Sequence, residues 1–306
     1  MSPDRVPDRW LVIRAPRPDD PELSGLVVAE LMELPVRGVV EEDDDLVVYL
    51  PAPEEEETAE VIEAVTARIR SLLGDDFQGV AHHWQAHEAW EETWRQGLEP
   101  RRISDRIVVA PSWTDPDLEP GQVLIVIDPG MAFGTAEHAT TRGCLRLLDR
   151  WVEPGQRIAD VGAGSGILAI AAAQLGAEAV VALEMDPWAC EAARHNARLN
   201  GVIHQVEVRS ETVGPDFLPD EPVFDGVVSN IEAGVLLPLL EGFKAGLGPE
   251  GWLILSGILE SEADDILTTA RSLGLEPAEE DREDGWWSGV LTAAGATTSM
   301  PGAPDG

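Results

Sequence analysis

The sequence predicts an α/β chain of two units: a small α+β unit, then an open, mostly parallel doubly wound sheet. Three observations carry this. Apolar runs in the first hundred residues follow the order β-α-β-β-α-β. From Val123 onward, short apolar runs alternate with helical segments, the pattern of repeated βαβ units. One of those runs, ending at Val161, opens through a glycine-rich turn into an Ala-rich helix, as happens at the C-terminal edge of such sheets. The length of 306 residues accommodates two ordinary domains.

In order along the chain, Trp10–Arg14 is a short apolar strand, followed by a Pro/Asp turn and an amphipathic helix over Pro21–Glu33. Val36–Val40 and Leu46–Leu50 flank the acidic turn Glu41–Asp45 and read as a hairpin. In Glu54–Leu73 the residues Val61, Ile62, Val65, Ile69 and Leu72 recur at helical spacing, with Gly74 at the stop. Glu54–Glu57 suits a solvated first turn, favoured by the helix dipole. Gly79–Trp84 supplies a fourth strand, and the order is that of a ferredoxin-like sandwich. A Trp-rich linker with a strand at Arg106–Val109 comes next. Further strands are expected at Arg157–Val161, Ala179–Glu184, Gln205–Arg209, Phe224–Asn230 and Trp252–Gly257, with helices between them. The expected division is therefore 1–86 for the small domain, 87–121 for the linker, 122–293 for the doubly wound domain and 294–306 for a disordered, Pro/Gly-rich tail.

A formal net charge of −36 argues against direct nucleic-acid binding, because a strongly anionic surface repels phosphate. The charge suits either attraction of a cationic protein or solvation in high salt, and composition does not choose between them. Lys244 is the sole lysine. No apolar run approaches the roughly 18 residues of a membrane span, and the polar start of the chain lacks a secretory core. A cytoplasmic monomer is expected. Cys144 and Cys190, both within helical segments, form neither a disulfide framework nor a metal cluster. No metal is expected; His82, His83 and His87 fit no metal spacing and read as exposed linker residues.

The most informative segment is Asp160-Val-Gly162-Ala-Gly164-Ser-Gly166. Glycine lets a backbone take positive φ and approach a ligand, and the following helix N-terminus offers free N–H groups. The third Gly comes one residue too early for a dinucleotide fingerprint. Asp160 would repel a pyrophosphate but accept hydrogen bonds from a cationic amino-acid group, and S-adenosylmethionine carries an ammonium and no phosphate. The next strand ends in Glu184, where a carboxylate can accept both ribose hydroxyls. Its bland alternative is a helix cap, a role that suits Asp186 better.

From Trp84 to Trp287 the chain resembles the PrmA family, the methyltransferases of large-subunit ribosomal protein L11. The resemblance rests on Trp90-Glu-Glu-Thr-Trp94 with Pro111-Ser-Trp113, then Asp128-Pro-Gly-Met-Ala-Phe-Gly-Thr-Ala-Glu-His138-Ala-Thr-Thr141. The Gly-rich turn, Val228-Ser-Asn230-Ile and Leu255-Ser-Gly257-Ile complete it. It implies methyl transfer from S-adenosylmethionine to the α-amine and lysine ε-amines of free, unassembled L11. It also implies a small N-terminal substrate-recognition domain, a class I methyltransferase domain, and Thr135 and Asn230 at the cofactor and target nitrogen. Asp160, Gly162, Gly164, Gly166 and Glu184 stay on the cofactor. Ala136 stands where the family usually has Gly, and Glu232 where an apolar residue is usual.

Methyl transfer requires a neutral amine, whereas a free lysine has a pKa of about 10.4. Asn230, closing a strand, is expected to orient the amine through its amide oxygen; the alternative is a polar turn residue. His138 suits either a general base or a structural role at a helix start, and Thr140 or Thr141 is expected to cap that helix. Phe133 suits a cofactor lid or core. Trp90, Trp94 and Trp113 suit interdomain packing. Two other functions fit the same residues: a paralogue that methylates another protein or a small amine, and a non-catalytic cofactor-binding assembly factor.

Overall fold

The computed structural model describes residues 9–293, apart from 19, 33, 35, 37, 43–44, 53–56, 75–76, 78, 87–98, 129–133, 135 and 216–222. Two compact units divide the chain, Met1–Gly97 and Leu98–Gly306.

The first unit runs β1 (Arg9–Pro16), α1 (Pro21–Met32), β2 (Gly38–Glu42), β3 (Asp45–Pro51), α2 (Thr58–Leu73) and β4 (Ala81–Ala86). The four strands form an antiparallel sheet in the order β2-β3-β1-β4. Period-2 alternation puts Leu11, Ile13 and Ala15 of β1 on one face with Leu46, Val48 and Leu50 of β3. Val27 and Leu31 of α1 and Val65 and Ile69 of α2 complete that core. Helix α2 ends at Gly74, whose N–H reaches the Arg70 carbonyl at a φ of 77°. The helix begins at Thr58, later than the expected Glu54; residues 54–56 lie outside the described residues. His82 and His83 are exposed, as expected, but they belong to β4 and not to a linker.

The second unit opens with a three-stranded sheet, β5 (Arg101–Arg102), β6 (Ile107–Ala110) and β7 (Val123–Val126). The described part of the 87–121 segment thus carries β5 and β6. Its Trp113 is partly exposed, and Trp90 and Trp94 lie outside the described residues. Then follow α3 (Ala139–Trp151), β8 (Arg157–Val161), α4 (Ile167–Gln174), β9 (Ala179–Glu184), α5 (Pro187–Leu199), β10 (Val206–Ser210) and β11 (Phe224–Asn230). The remainder is α6 (Ala233–Leu236), a 3-10 turn (Leu237–Leu239), α7 (Leu240–Gly246), β12 (Leu247–Leu259), α8 (Ala263–Ser272), β13 (Leu275–Glu283) and β14 (Trp286–Ala293). The seven-stranded sheet has the order β10-β9-β8-β11-β12-β14-β13, parallel through β12 and antiparallel at β14 and β13.

Both faces of this sheet are covered, so its inner strands are apolar throughout. Ile158, Val180, Val228 and Ile254 pack with Leu145 and Leu148 of α3 and the wholly apolar start of α4. Their strand neighbours Ala159, Val181, Val227 and Leu253 pack with Leu236, Phe243 and Ile266 from α6, α7 and α8. Lys244, in the last turn of α7, donates to the Leu273 carbonyl. Among the described residues no helix is long and apolar enough to cross a membrane.

Candidate active site

The strand order of the seven-stranded sheet reverses between β8 and β11, which pair in parallel at its centre. Ligands in doubly wound sheets bind at the carboxyl ends of strands at such a switch. There the Gly-rich turn leaves β8, with φ of 77° at Gly162, 53° at Gly164 and 80° at Gly166. Glycine is required at 162 on two counts. Its φ is left-handed, and a Cβ there would stand 2.5 Å from Ile231 Cγ2. Gly257 answers it from β12: at φ +81°, its missing Cβ leaves room for the Ile231 backbone oxygen, 2.5 Å away. Ile231 is therefore wedged between two close glycine backbones.

Glu184 ends β9 and faces this turn. Its Oε2 accepts the Gly164 N–H at 2.9 Å and its Oε1 the Asp186 N–H at 2.9 Å. Asp186 is the cap of α5, accepting from Trp188 N at 3.0 Å, as the sequence indicates. Asp160 is fully buried. Its Oδ2 accepts the Ala169 N–H of α4 at 2.9 Å, while Oδ1 has no hydrogen-bond partner among the described residues. Burial pushes its pKa up to about 7; the Ala169 hydrogen bond opposes this, and the nearby Glu184 charge adds to it. A buried carboxylate with one unsatisfied oxygen suits a cationic ligand group.

Asn230 closes β11 beside the same turn. Its Nδ2 donates to Thr141 Oγ1 at 3.4 Å, and its buried Oδ1 has no partner among the described residues. Ser256, its neighbour on β12, bonds Ser288 at 2.6 Å and donates to the Thr140 carbonyl at 3.3 Å. The first turn of α3 is thereby tied to the sheet beneath Asn230.

His138 is the N-cap of α3. Nδ1 accepts the Thr140 N–H at 3.4 Å and lies 2.7 Å from Thr140 Oγ1, and the ring stands edge-on to Trp286 with centroids 4.8 Å apart. This corrects the expectation that Thr140 or Thr141 caps the helix: Thr140 supports the cap. Burial lowers the His138 pKa, helped by the Arg142 charge and opposed by Asp284. An imidazole that accepts at Nδ1 is the neutral form, which the lowered pKa favours. Thr135 and Phe133 lie outside the described residues. Among the described residues no group of three or more His, Cys, Asp or Glu could hold a metal ion.

Three residues that sequence reasoning passed over shape this site. Ser165, inside the Gly-rich turn, donates to the Gly134 carbonyl at 2.5 Å. Asn196 of α5, fully buried, donates to the Ser165 carbonyl at 3.0 Å and accepts the Asp128 N–H at 3.2 Å. Its signal was the Asn196/Asn200 pair, four residues apart and so on one face of a helix; Asn200 bonds both the N–H and the carbonyl of Val126. Arg142, nearly buried, donates to the carbonyls of Ala136 and Glu137 and to Glu283 at 2.6 Å. It heads a ladder in which Arg142, Arg146 and Arg150, one helical turn apart, meet Glu283, Asp281 and Glu279 on one face of β13.

A family model for ribosomal protein L11 methyltransferase (PrmA) matches residues 28–293. The chain belongs to the PrmA family. A ribosomal protein L11 methyltransferase of Pelotomaculum thermopropionicum is 42% identical over 239 residues, covering 78% of this chain and 76% of the relative. Another, of Symbiobacterium thermophilum, is 40% identical over 218 residues, covering 71% and 70%. Among solved structures, ribosomal protein L11 methylase from Lactobacillus delbrueckii subsp. bulgaricus aligns with a TM-score of 0.58 at 32% identity. That alignment covers 64% of this chain and 99% of the solved one. Family membership makes the chain an S-adenosylmethionine-dependent methyltransferase and gives the doubly wound unit its class, a Rossmann-like methyltransferase domain.

Proposed function

We propose that this enzyme transfers methyl groups from S-adenosylmethionine to the α-amine and lysine ε-amines of free ribosomal protein L11. The observation that carries this reading is the pair of unsatisfied buried oxygens at one sheet edge, Asp160 Oδ1 and Asn230 Oδ1. The first suits the ammonium of the cofactor's amino-acid end, while Glu184, already fixed by the turn, suits its ribose hydroxyls. Gly162, Gly164 and Gly166 keep side chains out of the way, and Thr135 belongs to the same site by its place in the family motif. When bound, S-adenosylmethionine supplies a methyl group on a sulfonium.

Asn230 Oδ1 accepts an N–H of the incoming amine and points the nitrogen lone pair at the methyl. The wedge of Gly162 and Gly257 around Ile231 keeps that oxygen in place. The amine reaches the site as an ammonium and must lose a proton to water before it reacts. His138 serves as the helix cap and positions Thr140 and Thr141 rather than acting as the base. The β-α-β-β-α-β unit is a ferredoxin-like substrate-recognition domain, and the protein acts as a cytoplasmic monomer.

The test is incubation with labelled S-adenosylmethionine and purified large-subunit proteins, followed by mass spectrometry. Label on the N-terminus and lysines of L11 supports the reading. Cofactor binding with label elsewhere sinks the L11 assignment and directs attention to Glu232, exposed two residues beyond Asn230. Asn230→Ala is expected to lower kcat by about 10–100-fold, the effect of losing an orienting hydrogen bond; near-normal turnover removes its assignment.

A further inference from the structure

We infer that Ser165 is a positioning residue that ties Asp128 and Gly134 to the Gly-rich turn and thereby fixes how that turn is presented to the cofactor. The inference builds on the cofactor assignment proposed above. Ser165 is almost fully buried. Its hydroxyl donates to the Gly134 carbonyl at 2.5 Å and accepts the Ile167 N–H, at the start of α4, at 3.3 Å. Its carbonyl accepts Asn196 Nδ2 at 3.0 Å, and the same amide holds the Asp128 N–H at 3.2 Å. One residue thus reaches Gly134 directly and Asp128 through a single buried amide.

The chemistry at each position is restrictive. Asn196 must both donate and accept, which neither Asp nor an apolar residue can do in a fully buried place. Ser165 must both donate and accept through one small group. Gly134 has φ +106°, and a Cβ on it would stand 2.8 Å from Ser165 Oγ. Serine and glycine are therefore matched across the contact. Arg142 holds Ala136 and Glu137 by a separate route, through their carbonyls. Gly134 is thus tied to the turn by the Ser165 hydroxyl, and Asp128 by the Ser165 carbonyl through Asn196.

Two measurements on the full chain test this. The first is calorimetric affinity for S-adenosylmethionine, with kcat at saturating cofactor. The second is hydrogen exchange across residues 126–138 without ligand. Ser165→Ala is expected to weaken cofactor binding about tenfold, the worth of a buried hydrogen bond, to leave kcat within about twofold, and to speed exchange in that segment. Should Ser165→Ala fail to fold, Gly134→Ala attacks the same contact from the other side, with the same outcomes expected. Unchanged affinity and unchanged exchange in a folded variant would overturn the inference, leaving Ser165 with a purely structural role. A wild-type chain that binds no S-adenosylmethionine would sink the cofactor assignment instead, and the exchange measurement would still decide what Ser165 holds.

Discussion

Arg146 grips Asp281 at two points, Nε to Oδ2 at 2.8 Å and Nη2 to Oδ1 at 2.5 Å, and the same guanidinium reaches Glu283 at 2.6 Å. The contact joins α3 to the outermost strand of the large sheet. Both side chains are mostly buried, so solvent screens the pair less than it would a surface pair. Asp281→Ala leaves Arg146 with half its partners and is expected to cost about 1–3 kcal/mol. A lower urea midpoint with an unchanged slope is the signature to look for. Glu283 adds a pH dependence. Burial opposes its charge, but hydrogen bonds from Arg142 and Arg146 outweigh that and hold its pKa below the ordinary carboxylate value. Its contribution is present above the unfolded pKa and lost as pH falls through the folded one, so Glu283→Gln should flatten the acid limb of the stability profile.

Asp160 has the opposite sign. Its folded pKa, about 7, lies above the unfolded value. The contribution is complete below about pH 4 and is lost as pH rises through about 7. Asp160→Asn should therefore stabilise the ligand-free chain at pH 8.5 by about 1–4 kcal/mol and much less at pH 5. The same substitution should abolish measurable cofactor binding. Parallel stability curves for the two proteins between pH 5 and 8.5 would show that Asp160 is already ionised in the folded chain at pH 5.

Ala136 sits at φ 65°, in the left-handed region, and is buried. An L-residue there costs about 1–2 kcal/mol, part of which glycine returns as chain entropy in the unfolded state. Ala136→Gly should raise stability by about 0.5–1 kcal/mol. Chemical denaturation reads this directly; a loss of stability would mean that the methyl packs better than it strains.

At His138 the two candidate roles separate cleanly. Asn is a strong N-cap and not a base at neutral pH. His138→Asn should keep stability and turnover near those of the parent, and His138→Ala should lose about 1 kcal/mol. A fall of about 10²–10⁴ in kcat for the Asn variant would restore the general base.

Strands and helices buried on both sides were legible, because their apolar content is dense. Arg157–Val161, Ala179–Glu184 and Phe224–Asn230 run where the sequence puts them. The small unit's order was equally plain, with boundaries moved by a few residues at β2, α2 and β4. The β13–β14 pair went unread. Residues 275–283 are mostly charged, and their inward positions Glu279, Asp281 and Glu283 are satisfied by arginines of α3 more than 120 residues earlier. No local pattern announces such a strand. In the site, Asp160, the glycines and Glu184 follow from spacing alone. Ser165 and Asn196 do not, because their role lies in contacts between segments distant in sequence. His138 was readable as a helix start, but its cap geometry was not: imidazole is an unusual cap, and the adjacent threonines offered the commoner choice.

Lys244, with its ammonium set on the Leu273 carbonyl, has a consequence for the chemistry proposed here. A catalyst that modifies lysines has a surface almost cleared of them, with arginine supplying 20 of its 21 formal positive side chains. Guanidinium nitrogens stay protonated and make poor nucleophiles. Self-modification through side chains is thereby confined to one already engaged amine, and lysine label appearing in a mixture with substrate reports the substrate.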